Sequence, residues 1–242
     1  MNKSDNILWA SILLLCITNC FFTEQSKILI LFWVISIIFV GNAKKMYSKR
    51  YNKTIVFFRR SMYIVPYLIP FFFLGFGSNL LKISLLEVIT ASLLGLLFII
   101  LDYKTWLYSL NKDFILMQLE FMSNKPNKFF FLMNTYTFIF GAIAEEMFFR
   151  VFIIYLFREN LFIGFFLSII LFIVAHFGTK WGDSFSKKDF YIQLCFSVFS
   201  ALLFIFTWSI FPSIIAHLSF NLFHVIKEYR IYYFSKGATI RE

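Results

Sequence analysis

The chain has 242 residues, 60% of them hydrophobic and 22% aromatic, with 37 phenylalanines and a formal net charge of +10; its mean hydropathy is +0.77. A soluble domain, whose apolar core is wrapped in a polar shell, does not reach these values, so the composition describes an integral membrane protein. The positive charge lies between apolar runs rather than in a basic stripe or arm, which marks membrane topology and contact with anionic lipid and argues against nucleic acid as a partner.

Apolar runs long enough to cross ~30 Å of hydrocarbon at ~1.5 Å per residue occur near 6–22, 28–42, 61–78, 84–101, 129–149, 161–177, 190–207 and 208–226. The expected fold is therefore an all-α, polytopic membrane helical bundle of about eight transmembrane helices, a single integral-membrane domain spanning 1–242. The first run follows Met1-Asn2-Lys3 in the manner of a signal peptide, but no small-x-small cleavage site follows it, so it reads as a retained first span. Cys16, Cys20 and Cys195 fall inside apolar runs without any CxxC or zinc-finger spacing and are expected to be packing residues.

Lys44, Lys45, Lys49, Arg50, Lys53, Arg59 and Arg60 cluster between the second and third runs, and Lys180, Lys187 and Lys188 between the sixth and seventh. Loops 23–27 and 79–83 carry one lysine each, so both termini are expected on the cytoplasmic side, with Arg158 the exception. Arg59 and Arg60 are expected to reach toward lipid headgroups. Between the fourth and fifth runs, Leu107, Leu110, Phe114, Met117 and Phe121 recur at helical spacing opposite Asn111, Lys112, Asp113, Gln118 and Glu120, predicting an interfacial amphipathic helix over 105–122. Ser123–Lys128 is the linker that follows. The last two runs divide at Trp208–Pro212, where Pro212 suits the first turn of a new helix, and the tail after Arg230 is too short and polar to fold alone.

Glu145, Glu146 and Arg150 stand inside an almost unbroken apolar run from Phe129 to Phe157. A charged side chain near the bilayer centre costs from ~2.5 to more than 10 kcal/mol, so such residues pair, face a cavity, and mark function. On an ideal helix Glu146 and Arg150 lie ~40° apart and can form an ion pair, whereas Glu145 is turned ~100° from Glu146 and is left to face a cavity as a candidate general base. Two further polar sets follow in apolar spans: Phe172 and His176 four residues apart, then His217 and Asn221 four residues apart.

Glu145-Glu146-x-x-x-Arg150, Phe172-x-x-x-His176 and His217-x-x-x-Asn221, in this order and each in an expected membrane helix, resemble the three motifs of the CPBP intramembrane protease family. That family includes the CAAX prenyl endopeptidases and the bacterial Abi proteins linked to bacteriocin maturation and immunity; the motif-bearing part is 129–226. The resemblance implies an eight-helix hydrolase with an intramembrane cavity open to the cytoplasmic leaflet, acting on a membrane-associated peptide or protein in the lipid bilayer. By motif, Glu145 and His176 would activate a water, and His217 and Asn221 would stabilise the oxyanion. Glu146, Arg150 and Phe172 would be supporting residues. No cofactor is favoured: HExxH is absent, although Glu145, His176 and His217 form a possible zinc set and such proteins have been described both as metalloproteases and as metal-free glutamate proteases.

The competing reading from another class is a non-catalytic scaffold or bacteriocin-immunity protein that binds a peptide or partner with the same fold. A small transporter would show repeated halves with Gly/Pro-broken helices, which the sequence lacks. Compact size and the lysine clusters suggest a bacterial plasma membrane. Glu87 is expected either to line the cavity or to pair with Lys82, and His224, seven residues after His217, is expected at the membrane interface.

Overall fold

The computed structural model describes residues 3–46, 52–73, 78–122, 126–176 and 186–239, and these are helical throughout apart from short turns. Parts of the expected lysine clusters (Lys49, Arg50, Lys180) and of the linker (Ser123–Lys125) lie outside the described residues, as does the very N-terminus (Met1, Asn2). In chain order the helices are α1 (Lys3–Asn19), α2 (Thr23–Lys45), α3 (Lys53–Ser61), α4 (Val65–Leu68), α5 (Pro70–Phe73), α6 (Leu85–Leu101), α7 (Tyr103–Ser109) and α8 (Lys112–Phe121). There follow α9 (Lys128–Glu146), a π-helical segment (Met147–Phe152), α10 (Ile153–Leu156), α11 (Leu161–Ala175), α12 (Lys187–Thr207) and α13 (Ile210–Thr239).

Among the described residues four stretches are long and apolar enough to cross a membrane: Glu24–Ala43, Arg158–Ala175, Lys187–Thr207 and Ile210–Lys236. A fifth arises if α6 and α7, bent by 76° at their junction, count as one span. The remaining expected spans differ from simple crossings for three reasons. The apolar part of α1, Leu8–Asn19, is short. The run 61–78 is not one helix, because Pro66 stands at the start of α4 and Pro70 opens α5, each removing a backbone donor. The fifth run carries Glu145, Glu146 and Arg150, which lower its apolarity while its chain continues unbroken from α9 through the π-helical segment into α10.

The core forms around the aromatic residues of that rod. Trp33 of α2 lies 6.3 Å from the rings of both Phe148 and Phe149, and its indole N–H donates to Ser11 of α1 at 2.9 Å. Phe32 meets Phe152 edge-on at 5.5 Å, and Tyr67, wedged in by the proline-broken segment, packs on Phe148 and Phe149 at 5.1 and 5.4 Å. A second aromatic group, Phe98, Phe196 and Phe220, joins α6, α12 and α13. α12 ends at Trp208, whose φ of 48° is left-handed, and α13 begins at Ile210 with Pro212 in its first turn as expected.

Several expectations change. The interfacial helix is two helices, α7 and α8, separated where Asn111 caps α8 by accepting from the Asp113 and Phe114 amides. Its buried residues are Trp106, Ser109, Ile115 and Leu119, so Leu107, Met117 and Phe121 face outward, where an interfacial helix meets lipid. Ile115 and Leu119 pack on Ile231 of α13, and Ser235 donates to the Pro126 carbonyl oxygen, so the stretch beyond Arg230 is packed against the rest of the chain as a helix. Glu87 is taken up by a capping box with Ser84 at the start of α6 rather than by Lys82, the favoured use of an acid at this position. Cys16, Cys20 and Cys195 are exposed rather than packed. Arg60 does not reach for headgroups but donates to Asn134 at 2.6 Å, and Asn134 donates on to Glu228 at 2.7 Å. Arg158 lies over the ring of Tyr155.

α6 and α13 cross at Gly95 with almost no space between their backbones. A Cβ there would stand 2.3 Å from the Ala216 carbonyl oxygen and 2.6 Å from Ser219 Cβ, on the turn of α13 that carries His217. Gly95→Ala is therefore expected to destabilise the protein by about 1–3 kcal/mol, read as a lower melting temperature in detergent; an unchanged melting temperature would show that the helices part freely.

Candidate active site

The site grows from the rod of α9. Asn127 starts it by accepting the Phe130 amide hydrogen at 2.9 Å, and the helix then carries Glu145 and Glu146 into the aromatic core, where it widens into the π-helical turn over Met147–Phe152. Such turns are rare and concentrate at functional sites. Glu145 is 3% exposed, and Glu146 and Arg150 are fully buried.

Glu146 holds three donors. Arg150 Nε lies 3.2 Å from its Oε2, the Ser200 hydroxyl donates to the same oxygen at 2.5 Å, and His217 Nδ1 is 2.8 Å from Oε1. Arg150 is held in turn on every side: Nε donates to Ser200 Oγ at 3.2 Å, Nη1 to Ser168 at 2.9 Å and Nη2 to Ser197 at 3.3 Å. Its guanidinium also lies 4.7 Å from the centre of the Phe172 ring. A buried ion pair needs such extra hydrogen bonds to offset the desolvation of both ions, and here they come from α11 and α12 as well as from the rod.

His176 and His217 turn the same ring nitrogen toward Glu145. His176 Nδ1 is 2.9 Å from the Phe172 carbonyl oxygen, which can only accept, so this nitrogen carries the hydrogen and Nε2 points inward, 3.7 Å from Glu145 Oε2. His217 Nδ1 likewise gives its hydrogen to the Glu146 carboxylate, leaving Nε2 4.0 Å from Glu145 Oε2. Each hydrogen bond on one nitrogen thus sets what the other can do. Phe172 serves twice, its carbonyl orienting His176 and its ring covering Arg150, with the His176 ring 4.3 Å away. The Phe196 ring stands edge-on to His217 at 4.9 Å.

Asn221, one turn after His217, donates from Nδ2 to the Phe138 carbonyl oxygen of α9 at 3.1 Å, which places it beside the site and ties α13 to the rod. His224 lies between Trp106 and Phe138, edge-on to one at 4.6 Å and stacked on the other at 5.0 Å. A carboxylate and two imidazoles could in principle hold zinc. Tetrahedral zinc with bonds of 2.0–2.1 Å sets its ligand atoms about 3.3 Å apart, closer than the 3.7 and 4.0 Å separations from Glu145 Oε2. Among the described residues no group of three or more His, Cys, Asp or Glu side chains is placed to hold a metal.

The structure brings together Glu145, Glu146, Arg150, Phe172, His176 and His217, with Asn221 at the edge. Four contributors escaped the sequence reading: Ser168, Ser197, Ser200 and Phe196. The three serines are fully buried in apolar spans, and the three-residue spacing of Ser197 and Ser200 on α12 was the one local sign that a helix face there meets polar groups. Glu146 also does more than pair with Arg150, since its second oxygen holds His217.

Residues 127–223 match a family model described as type II CAAX prenyl endopeptidase Rce1-like. The match opens at the capping residue of α9 and contains all seven motif residues. No curated protein and no solved structure matched the chain.

Removing one member of the buried pair should be worse than removing both. Glu146→Gln leaves Arg150 without its counter-charge and is expected to lower stability by about 3–5 kcal/mol, seen as a loss of folded protein in detergent. The double change E146L/R150M should recover most of that yield, because no charge is then left buried; equal loss in both variants would show that shape rather than charge holds the core.

Proposed function

We propose, from the match of residues 127–223 to the type II CAAX prenyl endopeptidase Rce1-like family model, that this chain hydrolyses a peptide bond of a membrane-associated peptide or protein by a metal-free, glutamate-type mechanism. The observation that carries the reading is the convergence of Glu145 Oε2 with the Nε2 atoms of His176 and His217 at 3.7 and 4.0 Å in a buried site.

Glu145 and His176 hold the water, which donates to the carboxylate and to the Nε2 lone pair of His176, so that its own lone pair is presented to the scissile carbonyl. Glu145 takes the proton as the water attacks. His217 Nε2, facing Glu145, receives that proton in turn, and with Nδ1–H already given to Glu146 the ring then donates from Nε2 to the oxygen on which negative charge develops. Asn221 adds a second donor: one of its N–H bonds goes to Phe138, and the other is directed to the oxyanion. Collapse of the tetrahedral intermediate passes the proton from the site to the departing amine. No step needs a metal, and the wide spacing of the zinc set supports that choice.

The same reading places the protein in a bacterial plasma membrane with eight crossings and both termini cytoplasmic. α1 and α2 run antiparallel, with Ser26 on Thr18 and Trp33 on Ser11, and the Arg60–Asn134–Glu228 chain fastens the late part of α13 beside α3, which supports that topology.

Glu145→Gln preserves shape and removes the base, so cleavage should vanish while the melting temperature stays near that of wild type; comparing peptides released by cells carrying wild type and this variant would identify the substrate. Wild-type cleavage by Glu145→Gln would end the assignment. Asn221→Ala should reduce the rate by about 10²–10³, and Asn221→Asp should be slower still, since it sets a carboxylate against the oxyanion. Stoichiometric zinc by elemental analysis, inhibition by a strong chelator and a tolerated Asn221→Asp would together replace the glutamate mechanism with a zinc-dependent one.

A further inference from the structure

α12 carries none of the three motifs, yet it supplies Phe196, Ser197 and Ser200 to the buried site. Ser200 stands where three helices meet. Its hydroxyl touches Glu146 and Arg150 of the rod, and its carbonyl oxygen accepts from the Ser213 hydroxyl of α13 at 2.9 Å, one turn before His217. The direction of each hydrogen bond is forced. Arg150 can only donate, so Ser200 receives its Nε–H and must send its single hydroxyl hydrogen to Glu146 Oε2. His217 then donates from Nδ1 to Oε1. The chain runs Arg150 to Ser200 to Glu146, with His217 feeding the same carboxylate from the other side.

We propose that Ser200 is a positioning residue of the reaction: its hydroxyl locks the Glu146 carboxylate in the rotation that holds His217 Nδ1–H, and so aims His217 Nε2 at Glu145. This rests on the catalytic reading given above. At 2.5 Å its bond to Glu146 Oε2 is shorter than the approach of Arg150 Nε to the same oxygen at 3.2 Å, so without the hydroxyl the guanidinium is left to hold Oε2 opposite the His217 bond to Oε1. A hydrogen bond to a buried charge is among the stronger ones in proteins. Ser197 and Ser168 differ in kind, since they hold Arg150 without touching Glu146.

The test is Ser200→Ala in the full-length protein in detergent, with proteolysis, melting temperature and 15N-labelled histidine spectra measured side by side. The His217 ring signals are assigned by their loss in H217N. The expected result is a kcat lower by about ten- to hundredfold with KM near wild type, together with an upfield move of the His217 Nδ1–H proton as its bond to Glu146 weakens. If Ser200→Ala does not fold, Ser200→Cys, which restores volume with a weaker donor, should show the same changes in smaller degree. An unmoved His217 resonance in the folded variant overturns the proposal, whether or not the rate falls, because a merely structural loss would spare the ring. The spectrum reads Ser200 even if wild type cleaves nothing; absent cleavage with a moved resonance would count against the protease reading and leave the positioning role standing.

Discussion

The burial of Glu146 and Arg150 is the constraint on which the rest of the structure depends. Two ions removed completely from solvent cost several kcal/mol each unless their remaining hydrogen-bonding capacity is met, and a helix rod alone offers them only each other. The bundle answers with Ser168 from α11, Ser197 and Ser200 from α12 and the ring of Phe172. Satisfying the pair therefore fixes the relation of the rod to two neighbouring helices, and the second oxygen of Glu146 extends that relation to His217 on α13. The pair also decides which nitrogen of His217 faces Glu145.

Around this charged centre the walls are aromatic. Phe148, Phe149, Phe152, Trp33 and Tyr67 enclose one side, and Phe172, Phe196 and Phe220 the other. Such walls lower the local dielectric, which strengthens each electrostatic contact inside them. The irregular backbone has a place in the same logic. The proline-broken segment 62–73 and the π-helical turn leave helical hydrogen bonding imperfect, which within a membrane is tolerated where protein rather than lipid covers the backbone. Tyr67 and Phe148–Phe152 lie in these irregular stretches and are buried. The departures from regular helix thus lie beside Glu145 and Glu146.

Helix crossings set the last degree of precision. Gly95 brings α6 against the backbone of α13 at Ala216, immediately before His217, while Asn221 and the Phe138 carbonyl tie α13 to the rod one turn further on. The Asn134–Glu228 contact repeats the tie nearer the end of the bundle. These polar and close-packed rungs hold the axial register of α9 against α13, the two helices that carry Glu145 and His217.

What the sequence determined by itself was the membrane environment, the all-helical class and the motif residues, and the reason is physical. Hydropathy is a sum over neighbours in the chain, three charges within one apolar run stand out from those neighbours whatever they later meet in space, and four-residue spacing is a local property of a helix, so Glu146 with Arg150 and Phe172 with His176 were legible without coordinates. The tertiary structure decided the rest. Ser200 lies 54 residues from Glu146 in the chain, and a lone serine in an apolar span carries no sign of the carboxylate it will meet. Apolar runs could not show where a helix breaks at Pro66 or Pro70, nor that Glu87 would serve as a cap and Arg60 as a clamp, because in a chain this rich in phenylalanine the lipid-facing and buried sides look alike. Only packing against other helices separates them.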